Sequence, residues 1–346
     1  MKAAYLTGIR GVEVGDWPEP KLERDTDVLL QVETVGVCGS DMHYYRTGRI
    51  GEMVVDYPFI AGHEFSGRVL EAGKAVKNVS VGRRVTVDPL MWCGRCDQCR
   101  KGREHTCRNQ KFLGCPGQAD GCLCERIVMP AESCFPVPEN VTAQQAALLE
   151  PFCIGLYART LAGDVAGKSV AILGAGPIGL CVYQACRAAG AKKIYMTDVR
   201  PERVEFARRY GADWVGNPET QNATADILAA EPDALEVVFE AAGEQPAIDQ
   251  AVDLLAPGGK LLLIGIPEVD RVSFHISAAR RKELTIQNVR RQNHCVPPAV
   301  ELLAARKIDL DPMVTHTFTL DETKQAFDIA ADYKDNVIKA MIEVSA

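Results

Sequence analysis

The stretch Ser169-Val-Ala-Ile-Leu-Gly-Ala-Gly-Pro-Ile-Gly179 decides the fold that we predict for this chain. Val170 to Leu173 form an uninterrupted apolar run, which is typical of a strand buried in a parallel sheet. The run ends in Gly174-Ala-Gly176-Pro177-Ile178-Gly179, which fits the pattern G-x-G-x-x-G, and a helical pattern extends from Pro177 to about Ala189. A strand, a glycine-rich turn and a helix in this order predict that backbone N–H groups bind the pyrophosphate of a dinucleotide at the start of the helix.

An acidic residue after the next strand supports this prediction. Lys193-Ile-Tyr-Met-Thr-Asp198 has the pattern of a strand that ends in a carboxylate. Asp198 can accept hydrogen bonds from an adenosine ribose and would repel a 2′-phosphate, which favours NAD over NADP. Arg200 and Arg203 leave NADP open, because an arginine can accommodate that phosphate. A glycine-rich turn that binds nothing is the weaker alternative, because strand, helix and acid are all in place.

The rest of the chain divides into two regions of different character. Strand and helix patterns continue to alternate from Pro201–Tyr210 through Leu235–Glu240 to Lys260–Gly265, which predicts a parallel, doubly wound sheet. The first 150 residues instead contain short β-rich runs, such as 27–32 and 83–88, which are separated by Gly and Pro. We therefore predict an α/β protein of two domains, one of them mainly β.

Composition excludes several classes of function. The 346 residues carry a formal net charge of -7, which disfavours binding to nucleic acid or to an anionic membrane. The sequence contains no run of 18 apolar residues, so we predict no membrane span. It also has no apolar stretch near Met1 that resembles a signal peptide, and we therefore expect a cytoplasmic protein. Thirteen cysteines in such a protein point to metal binding or buried thiols rather than to a disulfide framework.

Four of these cysteines are closely and regularly spaced. Four thiolates with no open position are typical of a closed structural zinc site. An iron–sulfur cluster is the rival interpretation, but its usual motif places the fourth cysteine sooner and follows it with proline, whereas Arg108 follows here. The predicted zinc ligands are Cys93, Cys96, Cys99 and Cys107.

A second set of metal-binding residue types is spread along the first 150 residues. Cys38, His63 and a carboxylate from Glu64 or Glu150 would provide three zinc ligands and leave a fourth position open. Each residue taken alone has an ordinary structural explanation, since a single cysteine is commonly a small core residue. On spacing alone, this set is therefore a hypothesis.

Taken in order, these motifs resemble the zinc-containing medium-chain dehydrogenases over essentially the whole chain. Within that family the chain looks closest to the sorbitol, xylitol and related polyol dehydrogenases. The resemblance implies a GroES-like, mainly β catalytic domain at 1–152 and 293–346, with a structural zinc lobe at about 90–110, and a Rossmann NAD-binding domain at 153–292. The resemblance rests on Cys38-Gly-Ser-Asp-Met-His-Tyr-Tyr45, Gly62-His-Glu64, the four cysteines, Glu150-Pro151 and Gly174–Gly179.

The resemblance also assigns roles to individual residues. It implies that Cys38 and His63 bind the catalytic zinc together with Glu64 or Glu150, and that the Asp41 carboxylate orients His63. Ser40 and His43 match the proton relay of the family. The residues expected to line the substrate pocket are Tyr44, Phe112, Arg290 and Arg291.

The implied reaction is the oxidation of a secondary hydroxyl of a polyol or sugar-like substrate to a ketone, with hydride transfer to NAD. Threonine, a butanediol or a sugar acid is an alternative substrate of the same chemistry. Arg291 stands where polyol dehydrogenases typically carry Tyr, which could favour an acidic substrate, and mammalian sorbitol enzymes lack the four-cysteine lobe. A non-catalytic, nucleotide-sensing zinc protein is disfavoured, because no expected catalytic ligand is missing.

Family members usually associate through the edges of their nucleotide-domain sheets. The apolar segments Leu261–Ile266 and Val272–Ile276 are suited to form such edges. We therefore expect a homo-oligomer, either a dimer or a tetramer.

Overall fold

The computed structural model describes residues 1–345 and divides into two compact units. The first unit contains Met1–Glu150, Val296–Arg306 and the residues from Leu310 onward, and the second contains Pro151–Cys295 and Lys307–Asp309.

This division differs from the expected one at three short segments, 151–152, 293–295 and 307–309, which belong to the second unit. For the last segment the reason is local. The main-chain N–H of Asp309 donates to Gln184 Oε1 at 3.3 Å, and Tyr210 Oη donates to the Asp309 carbonyl at 2.5 Å.

The chain contains nineteen strands and ten α-helices within residues 1–345. The strands are β1 (Lys2–Gly8), β2 (Gly11–Asp16), β3 (Asp27–Gly36), β4 (Arg49–Ile50), β5 (Met53–Val54), β6 (Glu64–Ala72), β7 (Arg84–Val87), β8 (Leu90–Met91), β9 (Lys111–Phe112), β10 (Arg126–Pro130), β11 (Cys134–Pro136), β12 (Ser169–Leu173), β13 (Lys193–Thr197), β14 (Trp214–Gly216), β15 (Leu235–Glu240), β16 (Leu255–Leu263), β17 (Thr285–Asn288), β18 (Val314–Thr319) and β19 (Lys339–Glu343). The helices are α1 (Gly39–Thr47), α2 (Asp97–Arg100), α3 (Ala143–Ala162), α4 (Pro177–Ala188), α5 (Pro201–Tyr210), α6 (Ala223–Ala230), α7 (Gln245–Leu254), α8 (Ile276–Arg281), α9 (Val296–Ala304) and α10 (Thr323–Asp332).

The first unit is built on a seven-stranded sheet with the order β11-β7-β6-β3-β19-β18, in which β10 also pairs with β3. Its core includes the fully buried residues Leu30, Val32 and Phe65 from neighbouring strands. The register places Met341 of β19 opposite Gly36 of β3, and Gly36 opposite Glu64 of β6. The end of β3 therefore lies between the first residue of β6 and the first residues of β19.

The second unit confirms the predicted doubly wound sheet. Its six strands are all parallel and have the order β14-β13-β12-β15-β16-β17. This is the strand order of a dinucleotide-binding fold, with the ligand crevice at the carboxyl end of β12, where the order reverses. Helix α4 begins there at Pro177, whose fixed φ and missing N–H suit the first helical position.

The prediction of the sheet edge was wrong. Leu261 and Leu262 are fully buried in β16, which lies between β15 and β17, so this apolar run is interior rather than peripheral. Residues 272–275 belong to no strand, and α8 begins at Ile276. The outer strand on this side is β17, which sequence reasoning missed because its residues are mainly polar.

Over residues 1–345, none of the helices combines the length and the apolar character that a bilayer span requires.

Candidate active site and metal centres

The four-cysteine lobe brings its thiols together. The four sulfur atoms all lie within 4.8 Å of one another, with Cys96 Sγ 3.5 Å from Cys99 Sγ and 3.9 Å from Cys107 Sγ. A tetrahedral zinc ion with Zn–S bonds of about 2.3 Å separates its sulfur ligands by about 3.8 Å. The lobe therefore fits one zinc ion with no open position.

The backbone of the lobe also favours metal binding. The main-chain N–H groups of Cys93 and Asn109 both donate to Cys107 Sγ, at 3.3 and 3.4 Å. Hydrogen bonds from the main-chain N–H groups of Arg95 and Cys96 lower the pKa of Cys93 to about 6, which favours the thiolate that zinc binds. No disulfide bond joins any cysteines of the described chain.

The lobe is inserted between two paired strands. Leu90 and Met91 of β8 lie opposite Phe112 and Lys111 of β9 in an antiparallel pair. The chain consequently enters and leaves the lobe at adjacent positions.

The second set of ligands is assembled by the central strands of the first unit. The donor atoms of Cys38, His63 and Glu64 lie within 4.8 Å of one another. Cys38 follows the end of β3 and is the N-cap of α1, while His63 precedes Glu64 at the start of β6. Since Gly36 pairs with Glu64, the two ligand-bearing segments lie side by side.

Asp41 connects these two segments. Its Oδ2 accepts a hydrogen bond from the main-chain N–H of Cys38 at 3.1 Å, and its Oδ1 accepts one from Gly62 at 3.2 Å. The distance from Asp41 Oδ1 to His63 Nδ1 is 3.7 Å, which is too long for a hydrogen bond. Asp41 thus fixes the backbone beside both Cys38 and His63, and its carboxylate lies next to the imidazole without a hydrogen bond to it.

Two further observations show that this set suits a metal ion. The imidazole of His63 is buried, and its Nδ1 has no hydrogen-bond partner within residues 1–345, which is costly for a polar atom. Thiolate, imidazole and carboxylate are all good zinc ligands, and three of them leave a fourth position for substrate. In the absence of a metal, burial raises the pKa of the Cys38 thiol well above its usual range.

The Glu64 carboxylate has a partner that sequence reasoning missed. Lys339 Nζ lies 2.5 Å from Glu64 Oε2 and donates to the Val37 carbonyl at 3.0 Å. Both charged side chains are 2% exposed. A lysine within the apolar run Val337–Ile342 was the available signal, because lysine is rarely buried unless it is paired.

Glu150 lies near the same set but outside the group of donor atoms that approach within 4.8 Å of one another. It is buried within α3, and burial raises its pKa to about 8. The charges of His63 and Glu64 act on it. The geometry therefore favours Glu64 over Glu150 as the third ligand.

The residues of the expected proton relay share the first turns of α1. Ser40 Oγ donates to Cys38 Sγ at 3.3 Å. His43 follows three residues later, and this spacing puts both side chains on the same side of the helix. Their relay roles stay predictions.

The expected substrate residues lie in different places. Phe112 packs against His63 with ring centroids 5.3 Å apart, so it borders the metal-ligand set. Tyr44 is buried, with its hydroxyl 3.9 Å from Cys115 Sγ. Arg290 and Arg291 belong to the second unit, after β17, and their contact with substrate stays a prediction.

The glycine-rich turn and Asp198 are adjacent in the second unit. Gly174 has φ +107°, and a β-carbon at Gly179 would overlap the Gly174 carbonyl, so both positions require glycine. Asp198 Oδ2 accepts from the Ala175 N–H at 2.9 Å and lies 3.7 Å from Arg203 Nη1. The Arg203 guanidinium lies over the turn, since Nη1 is 3.2 Å from the point where a Gly176 β-carbon would stand.

Comparisons with known proteins agree with both units. A model of the alcohol dehydrogenase GroES-like domain matches residues 24–139, and a model of zinc-binding dehydrogenases matches residues 177–305. The sorbitol dehydrogenase of Bacillus subtilis (strain 168) is 35% identical over 343 residues, which cover 99% of this chain and 97% of that protein. This chain belongs to the zinc-dependent medium-chain dehydrogenases.

Solved structures of other dehydrogenases have the same fold as this dehydrogenase. A zinc-binding dehydrogenase from Sinorhizobium meliloti 1021, bound to NADP, is 30% identical with a TM-score of 0.90, and the match covers 99% of each chain. An alcohol dehydrogenase from Escherichia coli CFT073, complexed with NADH, is 28% identical with a TM-score of 0.89, again over 99% of each chain. The expected family and its GroES-like and Rossmann folds are confirmed.

Proposed function

We propose that this dehydrogenase oxidises a secondary hydroxyl of a polyol to a ketone, with NAD as the hydride acceptor. The observation that carries the proposal is the convergence of Cys38, His63 and Glu64, which offers a zinc ion three ligands and an open position. The similarity to a sorbitol dehydrogenase over nearly the whole chain supports a polyol as the substrate class.

The residues around the open position divide the chemistry between them. A bound zinc acts as a Lewis acid that favours loss of the substrate hydroxyl proton. Ser40 Oγ accepts that proton as its own hydroxyl proton is passed on, and His43, three residues along α1, relays a proton towards solvent. Asp41 keeps the backbone beside Cys38 and His63 in place, and we propose that the buried Glu150 carboxylate holds a water molecule at the site.

We infer a preference for NAD from Asp198. The carboxylate lies at the glycine-rich turn, where it can accept hydrogen bonds from a ribose and would repel a 2′-phosphate. Arg203 lies beside it and would soften the discrimination. Similar proteins bind either dinucleotide, so local residues rather than the fold decide the preference.

The decisive experiment is a panel of polyols, sugars, sugar acids and amino alcohols, assayed with NAD and NADP in turn by reduced-nicotinamide absorbance. We expect the highest kcat/KM with a polyol and NAD. A sugar acid as the best substrate would instead support the acidic preference suggested by Arg290 and Arg291. Absence of turnover with every alcohol, in protein that carries two zinc ions per chain, would favour the non-catalytic alternative.

The cofactor preference has a separate test. Asp198→Ala should raise kcat/KM with NADP relative to NAD by roughly tenfold, because it removes a repulsive charge. An unchanged ratio would count against contact between Asp198 and the ribose.

We also propose that the chain forms a homo-oligomer in the cytoplasm. The outer position of β17 leaves an edge that a second copy could extend. Many thiols without a disulfide in residues 1–345 suit a reducing compartment. Light scattering of the purified protein tests the oligomer, and a monomer would contradict it.

A further inference from the structure

Lys339 is the most deeply buried lysine or arginine of residues 1–345, and the motifs do not explain it. Its side chain is 2% exposed and reaches two acceptors, Glu64 Oε2 and the Val37 carbonyl. An ammonium group removed from water needs good partners to offset the loss of hydration. The Lys339–Glu64 pair is therefore a buried ion pair that solvent does not screen, unlike an ion pair at the surface.

Three neighbouring strands fix this contact. Lys339 begins β19 and Glu64 begins β6, and both strands pair with β3. Gly36, at the end of β3, leaves room between them, because a β-carbon there would overlap Glu64 Oε2. The Glu64 carboxylate is thus held by Lys339 in the space that Gly36 leaves open.

This confinement limits how Glu64 can bind a metal. A carboxylate can bind zinc through one oxygen or through both. Lys339 Nζ holds Oε2 by a hydrogen bond, so a metal ion bound through both oxygens of Glu64 would have to compete with the ammonium group at Oε2. A ligand set limited to three atoms keeps the fourth position free for substrate.

We propose that Lys339 is a positioning residue that holds Glu64 by one oxygen, restricts it to single-oxygen coordination and so keeps the catalytic metal four-coordinate. This inference rests on the proposed zinc site of Cys38, His63 and Glu64. It concerns the geometry of that site rather than its existence.

The test replaces zinc with cobalt(II) in the full chain and records the d–d absorption. Four-coordinate cobalt absorbs more strongly than five-coordinate cobalt. In Lys339→Met the released carboxylate can bind through both oxygens, and we expect the catalytic-site bands to weaken by at least about twofold. The Cys93–Cys107 site should be unchanged, and Lys339→Arg should restore the original spectrum because it keeps the charge.

Lys282 offers a matched control in the second unit. Its Nζ donates to the Val252 and Asp253 carbonyls, both at 2.9 Å, and it touches neither metal site. Lys282→Met should leave both cobalt spectra unchanged. An equal change in both lysine variants would indicate a general loss of structure and would overturn the positioning role.

A double variant isolates the contact itself. In a Glu64→Gln background, Lys339→Met should cause no further spectral change, because the carboxylate on which the lysine acts is gone. If Lys339→Met does not fold, Gly36→Ala provides the second test, since the added methyl group displaces Glu64 Oε2 and should weaken the same bands. A catalytic-site spectrum that neither Lys339→Met nor Gly36→Ala alters would overturn the inference.

Failure of the underlying site gives a different result. If the parent protein binds one cobalt ion per chain, with only the four-thiolate spectrum, the zinc site in the proposed function is wrong. If the parent binds two ions and the Lys339 variants match it, only the role of Lys339 is wrong.

Discussion

The four-cysteine lobe takes all its ligands from one loop, residues 93–107, whereas the catalytic set takes Cys38 from the end of β3 and His63 and Glu64 from the start of β6. The lobe is partly exposed, and its regular structure consists of the one-turn helix α2 and a three-residue 3₁₀ helix at Glu104–Thr106. The catalytic set is largely buried in the first unit and is supported by Asp41 and Lys339.

This difference shows two ways of using a metal. In the lobe a bound ion would supply the stability that an irregular loop lacks, which would couple metal binding to local folding. In the catalytic set the sheet arranges the ligands, and surrounding hydrogen bonds keep them in place while one position stays open. The two sites should therefore respond differently to the loss of a ligand.

The largest effect is expected for Cys38→Ser. Removing the thiolate should release the catalytic zinc and lower kcat/KM by roughly a thousandfold or more, because the Lewis acid contributes several kcal/mol. Zinc content should fall from two ions to one per chain, while NAD affinity and thermal stability stay nearly unchanged. Cys134→Ala, which alters a buried thiol outside both sites, is the control and should keep both ions. Normal turnover in Cys38→Ser would refute the catalytic zinc.

Cys107→Ser should show the opposite pattern. This buried ligand belongs to the closed site, and its loss should lower the free energy of unfolding by about 3 kcal/mol as the lobe loosens. Proteolysis should then cut within 93–107, as measured by mass spectrometry of the fragments. The catalytic ion should remain, and its cobalt spectrum should be unaltered. Loss of both ions together would mean that the two sites are not independent.

A smaller effect is expected for Asp41→Asn. The amide can accept only one of the two hydrogen bonds that the carboxylate receives from Cys38 and Gly62. Zinc affinity at the catalytic site should fall by roughly 10- to 100-fold, as is usual for residues that orient ligands. Competition with a chelator measures the affinity, and the four-cysteine site serves as the internal reference. Equal weakening at both sites would argue against a local role.

The smallest effect is expected for Asp97→Asn in the lobe. Asp97 pairs with Arg108 at the surface, where solvent screens the charges. The Arg108 guanidinium lowers the pKa of the Asp97 carboxyl. The Asp97 carboxylate accepts hydrogen bonds from Arg108 and Gln98. We expect no measurable change in zinc content or melting temperature. A clear loss of zinc would show that the lobe, like the catalytic set, depends on charges around its ligands.

Sequence alone predicted the parts that depend on local patterns. The glycines of Gly174–Gly179 and the spacing of Cys93 to Cys107 each encode a turn or a ligand set within a short segment. The alternation of strands and helices predicted the parallel sheet, which the strand order confirms. The prediction of a sheet edge at Leu261–Ile266 was wrong. An apolar run in the sequence looks the same whether its strand is central in the sheet or is covered by another subunit.

Long-range contacts could not be predicted in this way. Lys339 is 275 residues from Glu64 along the chain, and only the registers of β3 with β6 and with β19 bring them together. The backbone contacts of Asp41 could not be predicted for a related reason. Its carboxylate bonds to backbone N–H groups, which every residue except proline has, so no residue type marks the contact.

The pairing of β8 with β9 has an evolutionary consequence. Because the loop that carries the four cysteines leaves and rejoins this small hairpin at adjacent positions, one deletion could remove the whole metal site and a two-residue turn could close the gap. Because its two ends are adjacent, the loop could also be inserted into an exposed hairpin of another protein. Removal of the loop at this hairpin would therefore take away the four-cysteine site and leave the segments that carry Cys38, His63 and Glu64 unchanged in sequence.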